Sequence, residues 1–141
     1  MGVSQLLAND KSNAVRAELA GQMTTPVRVL RLLATDKSVR VRRQISANVK
    51  VPAEVLESLA SDKDADVRAN VARNERTPGS ALSRLATDGN ASVRRVVAEN
   101  LGTPRAVLET LALDKDPKVR AKVKLNPRST MAMRASISLL A

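Results

Sequence analysis

The sequence predicts an all-α protein built as an α-solenoid, a stack of about five short helix pairs. Three observations carry that reading. Polar and apolar residues recur together every 26 residues along nearly the whole chain. Within each unit the apolar positions are spaced three and four apart, as one face of a helix requires. The apolar residues are small: the chain has no Phe, Tyr, Trp or Cys, so its 43% hydrophobic content is mainly Ala, Val and Leu. Such side chains suit many shallow contacts between neighbouring units, the arrangement of a repeat array.

The columns are readable one by one. Asp stands at 10, 36, 62, 88 and 114, followed by Val-Arg at 15–16, 41–42, 67–68, 93–94 and 119–120. Asn stands at 48, 74, 100 and 126, Pro at 26, 52, 78 and 104, and Leu-Ala closes units at 33–34, 59–60, 85–86 and 111–112. Thr-Pro reads as a helix start, with the Thr hydroxyl as cap and Pro in the first helical position. The helix after it buries Leu at i and i+3, as with Leu56 and Leu59, and Ala60 beside them. Asp reads as the cap of a second helix, which buries Val41 with Ile45, Val67 with Val71 and Val93 with Val97. Asn reads as the end of that helix, in the left-handed conformation that Asn tolerates. Each helix is too short to be stable alone, and stacking supplies the missing burial.

The expected organisation is one domain over 1–141: a half-repeat at 1–9, repeats at 10–35, 36–61, 62–87 and 88–113, and a partial repeat with a C-terminal cap at 114–141. Met1 takes the register of Val27. Val51 replaces the capping Thr of its unit. Thr130 stands where Pro is expected and Arg134 where the first core Leu is expected. The tail "STMAMRASISLLA" is therefore expected to slip register and to cap the stack, burying Met133, Ile137 and Leu140.

The segment "DKDADVRANVARNERTPGSALSRLATD" resembles the variant leucine-rich repeat, a HEAT-like helical repeat of bacterial proteins, and the likeness extends over roughly 10–126. The resemblance implies a right-handed superhelix of helix pairs, one helix of each pair allowed a partly 3₁₀ course, and it implies no enzymatic activity. Some members carry a Cys-rich iron–sulfur segment. With no Cys in the chain, that property does not transfer.

Formal charge is +10, from 24 basic and 14 acidic residues, which favours anionic partners. No apolar run approaches the ~20 residues that cross a bilayer. The opening "MGVSQLLANDKS" lacks a charged region and a long enough apolar run for a signal peptide, and Leu6 replaces the Ser or Thr of a myristoylation start. The expectation is a cytoplasmic protein without a membrane partner.

Chemistry finds little footing. There is no His to activate a Ser, no Cys nucleophile or thiolate metal ligand, and no Gly-rich phosphate loop. "DKDAD" at 62–66 fails as a calcium loop, with Val67 at the required Gly and Arg73 at the terminal Glu. Asp64 and Asp66 lie in an exposed corner without equivalents in other units. No catalytic residue, metal, cofactor or small-molecule substrate is expected. The five column arginines are expected to pair with the five column aspartates as a structural ladder. The excess charge then lies in clusters at 37–50 and 115–134, while Glu54, Glu57, Asp62, Asp64 and Asp66 interrupt any continuous stripe. Around the Asp-led helix, Arg43 lies about 200° from Val41 and Arg40 about 100° the other way. Arg40, Arg43, Arg95, Lys118, Lys122 and Lys124 are the candidate nucleic-acid-binding residues, being basic, outward-facing and not fixed by the repeat. The expected function is a non-catalytic scaffold for an anionic macromolecular surface, DNA or RNA backbone first. A protein–protein adaptor, or one solenoid segment of a larger assembly, is the alternative; its partner would be an acidic protein, or the charge would serve solubility.

Overall fold

The computed structural model describes residues 2–140, so Met1 and the register assigned to it lie outside the described residues. Eleven α-helices, and no strand, make up the secondary structure of these residues. α1 (Val3–Ala8) opens the stack. Five Asp-led helices of nine residues follow at 26-residue steps: α2 (Asn13–Gly21), α4 (Val39–Ala47), α6 (Ala65–Arg73), α8 (Ala91–Glu99) and α10 (Pro117–Leu125). Between them lie four Pro-led helices of seven residues: α3 (Val27–Leu33), α5 (Ala53–Leu59), α7 (Gly79–Leu85) and α9 (Arg105–Leu111). α11 (Met131–Leu139) takes the next Pro-led slot. No helix of the described residues is long and apolar enough to cross a membrane.

The apolar columns form continuous rows. Leu30, Leu56, Leu82 and Leu108 are fully buried, as are Val41, Val67 and Val119 and, one turn on, Ile45, Val71, Val97 and Val123. A fully buried aliphatic side chain contributes ~1.5–3 kcal/mol, so each unit is held mainly by its contacts with the next. The Asp-led helices pack directly on one another along their row, α2 on α4, α4 on α6, α6 on α8 and α8 on α10. The Pro-led helices touch one another less closely. The Asp-led helices therefore form the closer-packed row of the stack.

Local roles differ from those expected at three columns. Pro sits at the N-cap, not the first helical position: Pro26 has φ −58° and ψ 143°, and its carbonyl accepts from the amides of Val29 and Leu30. The Thr hydroxyl does not cap the helix it precedes. Thr77 donates back to the Val71 carbonyl at 2.5 Å and Thr103 to Val97 at 2.6 Å, tying down the end of the preceding helix. The column Asp is not the cap either. Its Oδ1 accepts the amide two residues on, as Asp36 does from Ser38 at 2.8 Å, and the cap position is that next polar column: Ser12, Ser38, Asp64, Asn90 and Asp116. Asp64 therefore does have equivalents in every unit. The Pro-led helices run as α-helix, with i→i+3 bonds only in their first and last turns and no 3₁₀ segment among the described residues.

The Asn column is extended, not left-handed: Asn48 has φ −74° and ψ 125°, and no non-glycine residue of the described chain has positive φ. Its amide reaches the previous unit instead. Asn74 Nδ2 donates to the carbonyls of Ser46 and Asn48, both at 3.2 Å, while its Oδ1 accepts from the Arg76 amide at 3.0 Å. Asn48, Asn100 and Asn126 repeat the arrangement. At the C-terminal end, Thr130 caps α11 and keeps the register of Pro104. Met133 and Ile137 are buried as expected, whereas Leu140 is 49% exposed. The slip is confined to one position: Met133 is buried where the register would place residue 134, and Ile137 keeps the slot of Leu111.

Candidate functional site

The charge on the surface is sorted by the ladder first. Arg16, Arg42, Arg68 and Arg94 each form a bidentate pair with the Asp 20 residues on, with Nε to Oδ2 at 2.7–2.8 Å. Each also donates Nη1 to the carbonyl of its own unit's Asp at 2.7–2.8 Å. One guanidinium thus joins two consecutive corners, and both partners of the Arg42–Asp62 pair have under a tenth of their side chains exposed. The expected ladder is present, and it removes these charges from any binding role. Arg120 is the fifth rung and differs. It binds the Asp114 carbonyl at 2.7 Å, but Leu140 stands where the next Asp belongs, so no carboxylate meets it among the described residues.

The six candidate residues all fall on the Asp-led row, but they do not present equivalent charges. Arg43 is engaged: Nε and Nη2 bind Asp64 at 3.1 and 2.9 Å, and Nη2 also meets Asp66 at 2.9 Å. The Arg43 hydrogen bond holds the Asp64 carboxyl down at about 2. Lys122 pairs with Glu99 at 2.8 Å. Arg95 is half-buried rather than exposed, with Nη2 on the Ser92 hydroxyl at 2.9 Å. Arg40, Lys118 and Lys124 are exposed and meet no carboxylate within ion-pair distance among the described residues. Arg40 lines a groove between α2 and α4 with Glu18, Gly21 and Gln44. The two other free cations stand on α10, the helix that also carries Arg120.

Two features escaped the sequence reading. Lys recurs beside the ladder at Lys11, Lys37, Lys63 and Lys115, all exposed, with Gly89 the exception. On the opposite edge, beside the Asn column, apolar residues face solvent at Met23, Val49 and Leu101. Both were legible as columns of the same register. The acidic interruptions of the middle are themselves paired across the Pro-led row, Glu54 with Arg31 and Glu57 with Arg84, each at 2.7 Å. No cluster of three or more metal-ligating side chains is brought together among the described residues.

Parallel helix pairs stacked in fixed register, held by Arg–Asp and Asn–carbonyl ladders and carrying exposed variable residues on one face, define a helical-repeat scaffold. Residues 65–90, one full period, match the family model described as Leucine rich repeat variant. The columns of that unit recur along the array, so the likeness to the family's repeat is not confined to the matched residues. No curated protein matches it. Among solved structures it is similar to one described as a leucine-rich repeat variant with a novel repetitive protein structural motif. That likeness is 24% identical over 94% of this chain and 68% of the other, with a TM-score of 0.44.

Proposed function

We propose that the chain is a cytoplasmic, non-catalytic binding scaffold for an anionic macromolecular surface, with the phosphate backbone of DNA or RNA as the first candidate. The observation that supports it is the concentration of unneutralised cations around α10. Lys118 and Lys124 are exposed and unpaired among the described residues, Leu140 stands where the ladder position of Arg120 calls for Asp, and Lys115 and Arg134 flank them in the sequence. Of the seven basic residues from Lys115 to Arg134 only Lys122 meets a carboxylate within ion-pair distance among the described residues, whereas eight of the seventeen before them do. Arg40 extends the basic surface on α4, while Arg43, Arg95 and Lys122 contribute less because each is engaged within the protein. The chain has no aromatic residue, which removes base-stacking platforms, and no element is shaped to enter a groove and read base edges. Binding should therefore follow charge, not sequence.

A gel-shift titration with duplex DNA and with RNA at ~50 mM salt tests this. Micromolar protein should shift both, and affinity should fall steeply with salt as counterion release requires. The double variant Lys118→Glu and Lys124→Glu should weaken binding about tenfold or more, and Arg43→Glu should weaken it less. No shift of either nucleic acid at micromolar protein would transfer the role to the protein-adaptor reading.

A further inference from the structure

The edge beside the Asn column carries a second surface, on residues that the α10 cluster does not use. At the C-terminal ends of α4 and α6 lies a cleft of about 380 Å³, walled by Ala47 and Val49 on one side and by Arg73, Glu75 and Arg76 on the other. One unit further on, Arg73 and Glu75 become the near wall of a second cleft, of about 480 Å³, closed by Glu99 and Leu101. Val49 is 55% exposed and Leu101 62%, and neither is needed for stacking, whose apolar rows are filled by other columns. Arg73 spends one Nη1 donor on Asn70 at 3.1 Å and meets no carboxylate within ion-pair distance among the described residues. The Arg76 side chain likewise meets no carboxylate within ion-pair distance among the described residues. The Asn74 side chain between the clefts is fully used by its own backbone partners, so a ligand must be held by these exposed groups.

We infer that this edge docks an extended acidic peptide, with apolar side chains seated against Val49 and Leu101 and a carboxylate between them at Arg73 and Arg76. Charge complementarity sets the sign: of the two carboxylates on these walls, Glu99 is paired with Lys122 at 2.8 Å, which leaves Glu75 against the two guanidinium groups of Arg73 and Arg76. Spacing sets the pattern. Neighbouring helices pack ~8–10 Å apart, and an extended chain advances ~3.3 Å per residue, so one repeat matches about three peptide residues. Val49 and Leu101 lie two repeats apart. The fitting peptide therefore has an apolar residue, an acid three positions on, and a second apolar residue three further.

The test is fluorescence anisotropy with a labelled Gly/Ser-rich peptide carrying Leu, Asp and Leu at successive third positions. Saturable binding is expected with Kd below ~1 mM, the range of weak docking interactions. Arg73→Glu should weaken it at least about tenfold, and Val49→Ser and Leu101→Ser should each weaken it, with circular dichroism unchanged because all three side chains are exposed. The variant Lys118→Glu with Lys124→Glu should bind the peptide like wild type, which separates this surface from the nucleic-acid proposal. The inference is overturned by no saturable binding at ~1 mM, by equal binding of a peptide with Lys for Asp or with the second Leu moved two positions, by an unchanged Arg73→Glu variant, or by loss of binding in the α10 variant.

Discussion

Arg42 and Arg43 are neighbours in the chain and differ in almost everything that decides their contribution to stability. The Arg42 side chain is 9% exposed and pairs with Asp62, itself 7% exposed, while Arg43 is 43% exposed and pairs with Asp64 and Asp66 at the surface. Truncating one member of a buried pair leaves an uncompensated charge and costs ~3 kcal/mol or more. An exposed pair contributes under ~1 kcal/mol. Arg42→Ala should therefore lower the denaturation midpoint far more than Arg43→Ala, measured by urea unfolding of the two variants under one condition. Equal midpoints would show that the ladder contributes no more than a surface pair. The ladder carboxylates carry the same mark. Burial pushes Asp88 up, but its bonds from Arg68 and from the Asn90 amide outweigh burial, and its pKa lies below the ordinary value.

At the scale of the helix, the ends matter more than the middles. Each Asp-led helix finishes without a left-handed residue, and its last carbonyls draw on two sources: a hydroxyl that follows the helix, at α2, α6, α8 and α10, and the Asn amide of the next unit, at α2, α4, α6 and α8. Thr25, Thr77 and Thr103 donate to Leu19, Val71 and Val97, and Ser129 does the same to Val123. Val51 interrupts that column yet is fully buried, exchanging a hydrogen bond for apolar contact. The Asn amide has no such substitute. Asn74→Ala strands the Ser46 carbonyl in a buried corner and leaves the Asn48 carbonyl only the Val51 amide at 3.3 Å, and an unsatisfied buried acceptor costs ~1–3 kcal/mol. The expected outcome is a loss of that size in chemical denaturation, together with faster amide exchange at the C-terminal end of α4. Protection unchanged in α4 would argue against the Asn as the tie between units.

For the whole molecule, pH dependence follows from the absence of His and from the direction of the carboxylate shifts. Nothing with an ordinary side-chain pKa titrates between about pH 5 and 8, so stability should be flat there. Asp64 is held at about 2, and Asp36, Asp88 and Asp114 are also lowered when folded. Carboxyls with depressed folded pKa values stabilise the fold fully above their unfolded value, ~3.9, and lose that contribution as pH falls toward the folded one. Thermal melting should hold from pH 8 to 5, then decline from about pH 4 towards pH 2. Asp64→Asn should remove part of the decline. A midpoint that drops already between pH 7 and 5 would contradict this account.

The sequence by itself determined the period, the helical class and the rows that fill the core. Leu30, Leu56, Leu82 and Leu108, and Val41 with Ile45, are legible because burial on a helix leaves a spacing within the helix, and repetition multiplies that signal. It also showed the Arg–Asp ladder, since equal numbers of opposite charges at one register imply a pairing. What only the tertiary structure decided are the roles of Thr, Asp and Asn. Capping rules look within the residue's own helix, whereas the partner of Asp36 is Arg16, 20 residues back, and the partner of Asn74 is Ser46, 28 residues back. The candidate site divides the same way. Sequence picked out basic residues that the repeat does not require. Whether a charge is open, as at Lys118, or closed by a neighbour, as at Arg43, depends on which side chains adjacent units bring within ~4 Å, and that distance exists only once the units are stacked.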